Sequence, residues 1–194
     1  RFFSSPALKR FAEGGPAPQL PPGRTASEKR GREFMNPNRQ CGVCHSGPML
    51  DTTTEFETRL GAGSQIAGIG AGLLLGPPGE AFDADGNFVI HPNNPNRNQA
   101  FEITLPDSSS FVAVFPDLGR AAITGNPDQI IDFKIQTLWG IKHTAPYFHD
   151  NSARTLEEVV DHYQRFFQLV DDPAAFIQIT DQDKADIVAY MKLL

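Results

Sequence analysis

The chain has 194 residues, 21% of them charged, and a net charge of −6, which suits one domain with a sizeable core and room for long insertions. Its mild acidity, with no basic run beyond the mixed cluster Lys29–Arg32, offers a polyanion no footing and sets nucleic acid aside. The longest apolar stretch, Ile66 to Gly76, is short and broken by glycine, so no membrane-spanning helix is expected.

The chain opens at Arg1 with neither a Met nor a signal-peptide pattern, and is read as a mature or trimmed product whose export signal, or even a preceding domain, lies outside it. Glu13 to Gly23, "EGGPAPQLPPG", predicts an extended arm over residues 1–26 rather than a packed element. Ser27 to Met35 predicts a short helix with Ser27 as its N-cap.

The only two cysteines follow, in Cys41-Gly42-Val43-Cys44-His45. Such a pair serves a disulfide, half a zinc site, a redox dithiol or a haem attachment site, and its neighbours decide which. Zinc requires a second pair of ligands at finger-like spacing, which none of His91, His143, His149 and His162 supplies. A thioredoxin-like dithiol requires a βαβ setting, whereas Gly31–Gln40 reads as a helix end and a polar loop. The reading that remains is a c-type haem clamp. Two thiols separated by two residues each add to a haem vinyl group, and the adjacent His45 imidazole is placed under the iron as proximal ligand. Gly42 is expected to let this loop lie close to the macrocycle.

From about residue 51 to 127 the pattern loosens into a loop-rich insertion. "GAGSQIAGIGAG" (Gly61–Gly72) lacks both a GxGxxG spacing and a preceding strand, so it reads as a loop and not a nucleotide site. Asp83, Asp85 and Asn87 begin like a calcium loop, but the glycine is misplaced at Gly86 and Asn94 stands where Glu is needed, which favours a hairpin turn. Ala100–Leu105 and Ser110–Phe115 are short strand candidates.

Two well-marked helices close the chain. One begins at Thr155 with Glu158 completing a capping box, and carries Leu156, Val159, Val160, Tyr163, Phe166 and Phe167 as one apolar stripe. His162 falls off that stripe and is expected at the surface. The other begins at Thr180 with Asp183 and aligns Ile187, Val188, Met191 and Leu194. The class is mainly α with long loops.

The distal ligand decides the potential of a clamped haem and its access to small molecules. Met35 precedes the clamp, and Met49 lies too close behind His45 to reach the opposite face. Met191 sits in an apolar stripe, where a flexible Met commonly fills core. The competitors are Tyr163, His149, His143 and His162. Tyr163 faces inward with its helix, and a buried hydroxyl needs a partner, a role that a carboxylate or a water also fills.

"GREFM…CGVCHSGP", "FKIQTLWGIKHTAPYFHDNSARTLEEVVDHYQRF" and "ITDQDKADIVAYMKLL", in that order, resemble the C-terminal haem domain of the bacterial di-haem cytochrome c peroxidase and MauG family, over roughly residues 27–50 and 117–194. The resemblance implies a cytochrome c-like helical domain around one haem over residues 27–194, in a periplasmic or otherwise exported protein. In the family's peroxidases a Met occupies the position of Tyr163 and this domain's haem is the electron-entry site; in MauG-type members a Tyr there ligates the iron. Tyr163 thereby becomes the first candidate for distal ligand, with Met191 and His149 as alternatives. The resemblance also implies calcium held between two haem domains, partly by main-chain oxygens matching Thr144 and Pro146. Two departures stand out: Trp139 replaces the usual Arg, leaving it a packing or haem-pocket residue, and the chain has one clamp where the family has two.

The leading expectation is a monohaem c-type cytochrome that carries electrons as a subunit or half of a larger peroxidase-family assembly, beside a redox partner or a second haem domain. The alternative is a MauG- or peroxidase-like enzyme that activates peroxide or oxygen, with His149 assisting proton transfer. A haem domain that chiefly scaffolds a partner is a third.

Overall fold

A computed structural model describes residues 5–36, 39–51, 100–105, 107–114, 118–119, 121–126, 135–148, 151–169 and 178–194. In chain order the elements are α1 (Pro6–Ala12), α2 (Ala26–Glu33), α3 (Gln40–Cys44), β1 (Ala100–Thr104), β2 (Ser110–Val114), α4 (Ala121–Thr124), a 3-10 turn (Ile141–His143), α5 (Leu156–Leu169) and α6 (Asp181–Met191). The chain divides into two compact units, residues 1–64 with 135–145 and 172–194, and residues 65–134 with 146–171. The described residues are thus partly helical with one small sheet, and the glycine-rich and calcium-like stretches at 61–72 and 83–94 lie outside them.

The first unit begins with α1, which Pro6 opens at a position where a helix has no bond for the missing N–H to make; no side chain of α1 is buried. The helix expected before the clamp forms as α2, but its cap is Thr25, not Ser27. The Thr25 hydroxyl accepts from the Glu28 N–H at 3.1 Å, and the Glu28 carboxylate accepts from the Thr25 N–H at 2.9 Å. This reciprocal box satisfies two orphan donors where a lone serine cap satisfies one. Ser27, two residues past the cap, donates instead to Asp186 at 2.5 Å.

α2 crosses α6 at Gly31, where a Cβ would stand 2.0 Å from the Asp186 carbonyl oxygen and 2.8 Å from the Tyr190 Cβ. Ile187, Val188, Met191 and Leu194 are buried as their spacing predicts. Two polar residues are buried with them. Tyr190 is fully covered and donates its hydroxyl to the Pro21 carbonyl at 2.8 Å, which ties the Pro/Gly-rich segment to the helix. Asp186, 1% exposed, receives Arg30 Nε at 2.6 Å and Nη2 at 2.9 Å, Gln182 Nε2 at 3.0 Å, and the Ser27 hydroxyl. A buried carboxylate is tolerated only when its lone pairs are filled this way.

The hydrogen bonds from Arg30, reinforced by Ser27 and Gln182, hold the Asp186 carboxyl below its ordinary value of 3.8. A carboxyl depressed on folding contributes stability that is present above its unfolded pKa and lost as pH falls through the folded one. Asp186→Ala is therefore expected to cost about 1–3 kcal/mol at neutral pH and to soften acid unfolding below pH 3.8. Urea denaturation at pH 7 and at pH 3 checks both, and an unchanged difference between the two pH values would contradict the assignment.

In the second unit the two strand candidates pair antiparallel, Ala100 opposite Val114 and Thr104 opposite Ser110. Asp107 caps their turn by accepting from the Ser109 N–H at 2.9 Å. α5 begins as its sequence predicts, with the Thr155 hydroxyl accepting from the Glu158 N–H at 3.1 Å and Glu158 returning to the Thr155 N–H at 3.3 Å. Leu156, Val159 and Val160 are buried. His162 is buried too, at 8% exposure, contrary to the surface position expected. On a helical wheel it falls about 60° from Val159, so the buried arc is wider than the six-residue stripe and takes His162 in.

Candidate functional site

α3 is a single helical turn that carries the clamp. Cys41 and Cys44 stand three residues apart on it, the spacing that puts two side chains on one helix face. His45 caps the turn, its N–H donating to the Cys41 carbonyl at 2.8 Å. Gly42 packs closely against backbone. A Cβ there would stand 2.0 Å from the Asn36 carbonyl oxygen and 2.6 Å from that of Met35, and the Gly42 N–H donates to the Phe34 carbonyl at 3.0 Å. The glycine seats α3 on the backbone just past α2.

Both thiols are free and half-buried. Burial, with the neighbouring Cys44, pushes the Cys41 thiol up to about 12, and burial pushes Cys44 up to about 11. Thiols of that kind stay protonated at neutral pH, opposite to the low-pKa cysteines of dithiol oxidoreductases, which strengthens the case against a redox dithiol.

His45 Nδ1 lies 3.1 Å from the Leu50 carbonyl oxygen. A carbonyl only accepts, so this contact fits the Nδ1–H tautomer, the one that leaves the Nε2 lone pair for a metal. Burial pushes the imidazole below its ordinary value against the opposing carbonyls of Leu50 and Gln136 and the Asp51 carboxylate, which favours the neutral form that ligation requires. The turn after the clamp is held from residues 137–139. Trp139 Nε1–H donates to the Pro48 carbonyl at 2.9 Å, and the Thr137 hydroxyl donates to the Met49 carbonyl. A pocket of 110 Å³ lies beside His45, walled by Leu20, Met35, Leu50 and Trp139. Two thiols and an imidazole within five residues, the imidazole beside apolar walls, form a donor set whose chemistry fits a covalently held haem.

The first unit therefore brings together Cys41, Cys44, His45 and Trp139. Met191 is buried on α6 of the same unit. Tyr163 belongs to the second unit, half-buried on α5, with the His162 ring edge-on at 5.6 Å and Phe148 at 6.2 Å. His149 lies outside the described residues. Thr144 and Pro146 are exposed, and the Thr144 hydroxyl donates to the Ile141 carbonyl at 3.0 Å. Among the described residues no cluster of three or more His, Cys, Asp or Glu side chains is arranged to hold a metal ion. Leu50 and Thr137 escaped the sequence reading, because a carbonyl that serves a histidine has no side-chain signature.

No protein-family model matches the chain. It is 24% identical to cytochrome-c peroxidase IdrP1 of Pseudomonas sp. strain SCT, over 87% of this chain and 40% of that protein. It is 27% identical to cytochrome-c peroxidase IdrP2 of Denitromonas iodatirespirans, over 73% of this chain and 32% of that protein. The chain is a homologue of bacterial cytochrome-c peroxidases. This peroxidase homologue spans well under half the length of either relative, and the family resemblance carried by its motifs is borne out at low identity. Over 24% of the chain and 14% of the relative, it reaches 48% identity with cytochrome c551 peroxidase of Nitrosomonas europaea. A solved structure of a MauG-like protein associated with microbial copper homeostasis aligns with a TM-score of 0.48 and 26% identity, over 89% of this chain and 47% of that one.

Proposed function

We propose that this peroxidase homologue binds one c-type haem and carries electrons through it, as a subunit or half of a larger peroxidase-family assembly. The observation that carries the reading is the histidine beside the two thiols: His45 caps the turn holding Cys41 and Cys44, and its Nδ1–H is committed to the Leu50 carbonyl. In this reading Cys41 and Cys44 anchor the macrocycle and His45 ligates the iron from the proximal side. Bound there, the haem supplies a one-electron iron centre whose potential is set by axial ligands, hydrogen bonding and burial.

The domain around it is cytochrome c-like, and Trp139 and His149 belong to its pocket. Tyr163 is the distal ligand in this proposal, supported by the family resemblance and by its place beside the buried arc of α5; Met191 and His149 are the alternatives. Calcium at the main-chain oxygens of Thr144 and Pro146 goes with a second haem domain. A c-type haem places the protein in the periplasm or another exported setting, and no helix among the described residues is long and apolar enough to cross a membrane. The names of the curated relatives favour a second reading, a haem centre that activates peroxide or oxygen with His149 moving a proton.

The pyridine haemochrome spectrum should report one c-type haem per chain; a haem-free protein ends both readings. The ferric absorption and paramagnetic-resonance spectra then separate them, six-coordinate for the carrier and high-spin, water-accessible for the enzyme. Tyr163→Phe should change those spectra, and unchanged spectra would remove Tyr163 from the iron.

A further inference from the structure

Hydrogen bonds from one segment grip the turn that follows the clamp. Trp139 Nε1–H holds the Pro48 carbonyl at 2.9 Å, the Thr137 hydroxyl holds the Met49 carbonyl, and the Trp139 N–H donates back to the Thr137 hydroxyl at 3.2 Å. The next carbonyl in line, that of Leu50, accepts from His45 Nδ1–H. Leu50 has φ +51° and a side chain 3% exposed. That left-handed backbone is strained for a non-glycine residue and persists only where the surroundings over-determine it, a pattern concentrated at functional sites. The Leu50 N–H closes the turn on the Gly47 carbonyl at 3.1 Å, so the geometry of all four residues is set by contacts on both sides.

We propose that Thr137 and Trp139 are positioning residues for the axial histidine: by holding the Met49 and Pro48 carbonyls they keep Leu50 left-handed, so that its carbonyl fixes the His45 Nδ1 proton and leaves Nε2 to the iron. The inference rests on the reading that His45 ligates haem iron, and it adds the residues that tune that ligand. A histidine whose Nδ1–H is bonded to a carbonyl is a more basic, better-oriented ligand. A more basic ligand favours ferric over ferrous iron, so loosening the grip raises the midpoint potential.

The test uses the haem-loaded chain with Trp139→Phe, Thr137→Val and Thr137→Ser, the haem content of each being read first. The first two should shift the ferrous-to-ferric ratio at a fixed applied potential by about two- to tenfold, tenfold being about 59 mV for a one-electron couple. Exchange of the hyperfine-shifted His45 Nδ1 proton with solvent should quicken in the same two variants. Thr137→Ser keeps the hydroxyl and should match the wild type in both. A role in packing alone would lower the melting temperature and leave the potential and the proton exchange unmoved. Wild-type potential and exchange in a fully loaded Thr137→Val overturn the proposal, as does a Thr137→Ser that behaves like Thr137→Val. Failure of Trp139→Phe and Thr137→Val to load haem beside a fully loaded Thr137→Ser counts for the grip; failure of all three counts against it. A wild-type chain without haem overturns the underlying reading instead, and the first measurement reveals it.

Discussion

Gly42→Ala is expected to yield a chain with little covalently bound haem and a lowered melting temperature. In an exposed helix the exchange would add about 1 kcal/mol of stability, because alanine gives up less backbone entropy than glycine. Here the new Cβ would stand 2.0 Å from the Asn36 carbonyl oxygen and 2.4 Å from its carbonyl carbon. Both are backbone atoms, so no side chain can rotate away. Relief requires α3 to lift from the segment after α2, breaking the 3.0 Å bond from the Gly42 N–H to the Phe34 carbonyl. Overpacking of this kind costs about 3 kcal/mol or more when the neighbours cannot yield, and it falls on the turn that sets the spacing of Cys41, Cys44 and His45. Haem content per chain and the thermal melt are the measurements, and a fully loaded Gly42→Ala with a wild-type melt would refute the contact.

Gly31→Ala should unfold the first unit more readily than any other single-methyl addition in α2. Its Cβ would meet the Asp186 carbonyl oxygen at 2.0 Å, the carbonyl carbon at 2.6 Å and the Tyr190 Cβ at 2.8 Å. The propensity gain of about 1 kcal/mol is again outweighed by a clash with backbone, expected at about 3 kcal/mol. Moving α6 away also loosens the Asp186 bonds to Ser27 and Arg30 and the Tyr190 bond to Pro21. The loss in urea unfolding should therefore exceed that of Asp186→Ala. The double variant should lose less than the sum, because both changes act on one helix crossing. Additive losses would mean that the glycine and the carboxylate stabilise separate parts of the unit.

Elements whose signals are local were legible in the chain. The boxes Thr155/Glu158 and Thr180/Asp183 cap their helices as read, because a capping box needs only residues three apart. The hairpin strands were legible for the same reason. The cap of α2 was misplaced because Ser27 and Thr25 are both competent, and the reciprocal Glu28 decides for Thr25. His162 was misplaced because a wheel gives the direction of a stripe but not how far packing spreads around it.

At the candidate site the proposed haem-holding residues are legible in the chain, since Cys41, Cys44 and His45 lie within five residues and their chemistry follows from residue type and spacing. How those residues are held emerges only on folding. Residues 137 and 139 reach the carbonyls of 49 and 48 across 88 and 91 positions of chain, and they act on backbone carbonyls, which every residue carries alike. Likewise Gly31 and Gly42 are two glycines among 17 until folding brings a carbonyl oxygen to within 2.0 Å of the place where a side chain would begin.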